Sequence, residues 1–63
     1  MMGKYLEVSK STSGNYIVML VNQLGREKIA IKKFYAQVWW LHFREFRELP
    51  LIMTGRAAKE RNK

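Results

Sequence analysis

The hydrophobic period of this 63-residue chain changes once, at Lys33. Before it apolar residues alternate as in strands, and after it they recur at spacings of four and three, as on one side of a helix. That change predicts a sheet first and a helix second.

Leu6 and Val8 alternate with Tyr5, Glu7 and Ser9, the period of a half-buried strand. Ser11-Thr12-Ser13-Gly14-Asn15 reads as a turn, in which Gly14 and Asn15 can adopt positive φ. Tyr16 to Val21 follows as YIVMLV, an uninterrupted β-branched and aromatic run expected to form a central strand covered on both faces. A second reversal at Asn22-Gln23-Leu24-Gly25-Arg26 suggests a three-residue loop with glycine closing a type I turn. Glu27 to Lys32 alternates again, Ile29 and Ile31 against Lys28, Ala30 and Lys32. Its register stays open. A four-residue loop sets Ile29 and Ile31 opposite Leu20 and Val18, a three-residue loop sets them opposite Met19 and Ile17, and a bulge reconciles the two.

Beyond Lys33, Tyr35, Trp39, His42, Phe46 and Leu49 form a helical stripe flanked by Phe34, Val38 and Leu41. Trp39 is the expected core anchor. The segment lacks a good N-cap and is rich in aromatics, so a strand through 36–43 remains an alternative. Pro50 is expected to end the helix, PLIM to fold back onto the core, and Thr54-Gly55 to break the chain. The fold class expected is α+β: a three-stranded antiparallel meander and one aromatic-rich amphipathic helix, ordered β-β-β-α. Residues 1–53 form the domain, and 54–63 a basic tail or short frayed helix.

A chain this short has a marginal core without reinforcement. It contains no cysteine, one histidine (His42), five glutamates and no aspartate, so neither a disulfide nor a metal site is expected. Self-association remains, and a homo-oligomer is the expectation. No run approaches the roughly 18 apolar residues of a membrane span, and the opening MMGKYLEVSK has no leader-like apolar stretch, so a cytoplasmic protein is expected.

No enzyme is expected. His42 lies on the helical stripe and is read as packing its ring and bonding a carbonyl or a glutamate. Glu45 and Glu48 interleave with Arg44 and Arg47 as on a solvated helix face, and the four glycines match no phosphate-binding loop. No cofactor is implied.

Surfaces are more informative. One helix face cannot hide Tyr35, Trp39, Trp40, Phe43 and Phe46 together, so with Trp39 in the core Trp40 and Phe43 are expected to border a second, partner-binding surface. If Leu6, Val8, Val18 and Leu20 face the helix, then Tyr5, Ile17, Met19 and Val21 face away, beside Lys28 and Lys32. Twelve Lys and Arg against five Glu give a net charge of +7, which attracts nucleic acid and acidic proteins alike. The leading expectation is a nucleic-acid-binding protein. It would contact phosphates through Lys28, Lys32, Lys33, Arg56, Lys59, Arg61 and Lys63, stack a base on Tyr5, and dimerise through Ile17, Met19 and Val21. The alternative is a protein-interaction module docking through Trp40 and Phe43.

Overall fold

The computed structural model describes residues 3–60 in full and the backbone of Arg61. Its elements run β1 (Tyr5–Lys10), β2 (Tyr16–Asn22), β3 (Gly25–Lys32), α1 (Tyr35–Glu45), β4 (Leu51–Met53) and α2 (Gly55–Arg61). The strands form one sheet in the order β3-β2-β1-β4. The first three are antiparallel and β4 runs parallel to β1. The expected three-stranded antiparallel meander is therefore extended to a mixed sheet of four strands. PLIM does fold back, and it does so by strand pairing: Leu6 N–H donates to the Pro50 carbonyl at 2.9 Å, and Thr54 N–H to the Val8 carbonyl at 2.9 Å.

The Ser11–Asn15 turn sets the β1–β2 register, with Leu6 opposite Leu20 and Val8 opposite Val18 on the inner face. The turn between them closes through Ser11 N–H to Asn15 O at 2.8 Å and Gly14 N–H to Ser11 O at 3.0 Å. Gly14 alone takes positive φ there, at 94°, and Asn15 does not.

The second hairpin carries a β-bulge. Asn22 Oδ1 accepts from the backbone N–H of Leu24 at 2.8 Å and of Gly25 at 3.2 Å, holding a two-residue loop. Neither Gln23 nor Leu24 has positive φ, which excludes the primed turns, and Gly25 takes the strained step at φ 143°. Ile31 pairs with Ile17 and Ala30 with Val18, but Lys28 pairs with Met19, leaving Ile29 as the extra residue. Ile29 consequently packs half-buried against the core, while Ile31 points to the other face and is 54% exposed. The same register puts Lys32 opposite Tyr16, on the inner side. Its expected place beside Lys28 on the outer face is thereby corrected.

Helix α1 obtains its cap from within. Gln37 Oε1 accepts from Lys33 N–H at 3.0 Å and Phe34 N–H at 3.2 Å, covering two donors that no Ser, Thr or Asp is present to satisfy. Arg44 lies in the last turn, where its positive charge suits the helix dipole. The helix ends at Glu45, five residues before Pro50, because Phe46 leaves helical geometry at φ −127°. Phe46 and Leu49 reach the core from the following turn rather than from the helix.

The core comprises Leu6, Val8, Tyr16, Val18, Val38 and Ala57, the last two bringing both helices onto the inner face. Val38 is 1% exposed and Trp39 is 49% exposed, so Trp39 is not the core anchor. With about 100° between successive residues, a helix that points Val38 at the sheet turns Trp39 to its flank. Each fully buried Leu or Val contributes about 1.5–3 kcal/mol relative to exposure. The C-terminal segment forms the short helix α2, which packs on β1. Ala57 is fully buried, and its small side chain lets α2 lie close to β1.

No helix among the described residues is long and apolar enough to cross a membrane.

Candidate functional site

On the side of α1 away from the sheet, Trp39, Trp40 and Phe43 stand 46–51% exposed. Helical geometry places them about 100°, 160° and 140° from Val38 around the axis. They stack on one another: Trp39 and Phe43 have ring centroids 5.2 Å apart and planes 9° apart, Trp40 and Phe43 5.7 Å and 23°, and Trp39 and Trp40 5.8 Å and 32°. Arg44 lays its guanidinium 5.5 Å over the Trp40 ring, a distance at which the ring quadrupole attracts the cation. The result is an aromatic ridge whose rings rest on one another.

Beside the ridge, Lys32, Ala36, Gln37, Trp40, Leu41, Arg44 and Glu45 line a groove of about 540 Å³. Trp40 forms one wall, and the bulged strand β3 supplies Lys32. Arg44 also borders a second groove of about 360 Å³ that includes Arg47. Lysine and arginine thus flank the ridge at both ends of α1.

The cations expected to act together are dispersed. Lys28 lies on the outer sheet face opposite Met19, Lys32 lies on the inner side, and Lys33 is exposed between β3 and α1. Arg56 and Lys59 are exposed on α2, where Arg56 Nη1 donates to the Ser11 carbonyl at 3.3 Å. The side chain of Arg61 and all of Lys63 lie outside the described residues.

Tyr5, Ile17, Met19 and Val21 do share the outer face, as alternation required. Tyr5 is half-buried beside Val21, and Glu7 next to it forms an ion pair with Arg26. Neither α1 nor α2 covers this face. The helices thus cover the central strand β2 on one face only, whereas on the other Ile17 and Met19 are half-buried and Val21 is buried.

His42 holds structure together. Its Nε2 donates to the Leu49 carbonyl at 2.7 Å, a contact of the kind expected from its place on the stripe. Among the described residues no three His, Asp or Glu side chains converge as metal ligands would.

Sequence reasoning missed the exposure of Trp39 and the nearness of Lys32 and Arg44. The signal was present in Val38 with Leu41, a second helical stripe of smaller residues; centring on it turns all three rings outward together.

No protein-family model, curated protein or solved structure matches the chain.

Proposed function

We propose that this chain is a non-catalytic protein-interaction module. It docks the aromatic ridge of α1 into an apolar cleft with an acidic rim on a partner protein. The observation that carries this reading is the self-stacked, half-exposed Trp39–Trp40–Phe43 ridge opposite the helix's buried Val38. Rings held in place by one another lose little freedom on binding, and tryptophans in such clusters dominate interface energetics. Lys32, Lys33, Arg44 and Arg47 around the ridge favour acidic groups at the partner's rim.

Nucleic acid is the second reading, favoured by Lys32 and Arg44 flanking Trp40 in one groove. It is weaker on two counts. The stacked rings spend part of their faces on each other rather than offering them to bases. The remaining basic residues point from three separate surfaces.

The test is affinity capture with wild-type protein and with Trp40→Ala, Phe43→Ala and Lys59→Glu variants, with and without nuclease. A protein retained by wild type and Lys59→Glu, lost by both aromatic variants and indifferent to nuclease, is then purified. Its dissociation constant should rise at least tenfold for Trp40→Ala. Capture that nuclease abolishes transfers the function to nucleic acid.

A further inference from the structure

The sheet face away from both helices carries an apolar band unrelated to the ridge. Three rows of paired residues cross it: Ile31, Ile17 and Ser9; Lys28, Met19, Glu7 and Ile52; Arg26, Val21 and Tyr5. Ile31 on the β3 edge and Ile52 on the β4 edge are 54% and 44% exposed, and Ile17 and Met19 between them are half-buried. Apart from Lys28, the charges on these rows are Glu7 and Arg26, which neutralise each other within the chain.

We infer that this face binds the same face of a second copy, making a back-to-back sheet dimer. A partner chosen by charge would find little to read here, because Glu7 and Arg26 already satisfy one another. A second copy presents the same apolar rows, with Lys28 the one charge on them outside the Glu7–Arg26 pair, and removes the same residues from water.

The area suffices. Four strands about 4.8 Å apart, with about five residues each rising ~3.3 Å, span on the order of 300 Å² in projection. Two such faces, corrugated by their side chains, remove on the order of 1,000 Å² of accessible surface, the size at which specific assemblies begin. The gain also falls where the chain needs it: among the described residues the largest fully buried side chains are Leu6, Val8, Val18 and Val38, a small core for one sheet.

The register selects the symmetry. A two-fold across the strands would lay Lys28 on its own copy and Glu7 on its own copy, opposing like charges. A two-fold along the strands lays β3 over the partner's β4. The Ile31 edge of each copy then meets the Ile52 edge of the other, and Lys28 faces away from its twin. Closed two-fold contacts have this reciprocal form, in which one residue meets another and the second meets the first. Sheets packed so lie about 10 Å apart with nearly aligned strands.

The assembly does not depend on what the ridge binds. Sedimentation equilibrium of the full chain at tens of micromolar should give the mass of two chains. Met19→Glu should raise the dissociation constant at least a hundredfold, with far-UV circular dichroism unchanged. Ile31→Lys, at a site more than half exposed and so without demand on the core, should weaken the dimer at least tenfold. Ile31→Cys mixed with Ile52→Cys should cross-link more readily than either alone. A chain monomeric at several hundred micromolar overturns the inference. So does a dimer that survives both Met19→Glu and Ile31→Lys, or one that Trp40→Ser dissolves.

Discussion

Tyr16 and Glu60, 44 residues apart, are joined by a 3.0 Å hydrogen bond from the phenol to Oε1. Lys10 completes the contact, donating to the same carboxylate at 2.9 and 2.7 Å with its ammonium 4.9 Å over the Tyr16 ring. The three side chains clasp α2 to the end of the β1–β2 hairpin. Hydrogen bonds from Lys10 and then Tyr16 lower the Glu60 pKa, and the bond to Glu60 raises that of Lys10.

The clasp gives stability a defined pH dependence. A lowered Glu60 pKa contributes above the unfolded glutamate value and is lost as pH falls through the folded value, at the acid end. A raised Lys10 pKa contributes below the unfolded lysine value and is lost as pH rises through the folded value, at the alkaline end. Glu60→Gln should flatten both limbs of a urea-midpoint-versus-pH curve and leave the plateau between them lower. The effect should be small, because the pair lies at the protein surface, where solvent screens it. A curve unchanged at both ends would show the clasp to be energetically idle.

Truncation after Thr54 should lower the urea midpoint. It removes the clasp and also uncovers the space filled by Ala57, whose buried methyl alone is worth about 0.8 kcal/mol. A midpoint equal to that of the full chain would return α2 to the status of a solvated tail.

Val38→Ala should destabilise by about 2–3 kcal/mol, the loss expected for two methyl groups and the cavity they leave in a packed core. Trp39→Ala should cost less than about 1 kcal/mol, because half of the ring is already in water. Equilibrium urea denaturation compares them directly, and the opposite ranking would reverse the orientation of α1.

The orientation of α1 marks where the sequence was ambiguous. Two stripes of helical spacing run side by side, one through Tyr35, Trp39, His42 and Phe46 and one through Phe34, Val38 and Leu41. The larger side chains make the first look like the core. A four-stranded sheet covered by two helices favours the slimmer side chain at the closest approach, so Val38 goes in. By contrast, the β1–β2 pairing was fully legible. The five-residue turn Ser11–Asn15 sets Lys10 opposite Tyr16, and alternation on β1 then buries Leu6 and Val8 opposite Leu20 and Val18. β4 is three residues long, too short for a periodic signal, and the Ala57 contact of α2 rests on a small side chain that composition makes inconspicuous.

His42→Phe should cost about 1–2 kcal/mol. It keeps an aromatic ring and leaves the Leu49 carbonyl without its donor. His42→Gln retains a donor and should recover part of that loss. A smaller loss in His42→Phe than in His42→Gln would mean that ring shape, rather than the 2.7 Å bond, fixes the turn from α1 into β4.

The bulge in β3 gives adjacent stretches of one strand different obligations. Ile29 answers to the interior and Ile31 to the exterior, although strict alternation would have bound them to one fate. Substitution at Ile31 can therefore drift, or be redesigned to accept a new neighbour, without disturbing how the chain folds. Substitution at Ile29 carries no such licence. Deleting one residue from the bulge would fuse the two obligations again, and any change to the exterior would then have to be compatible with the interior as well.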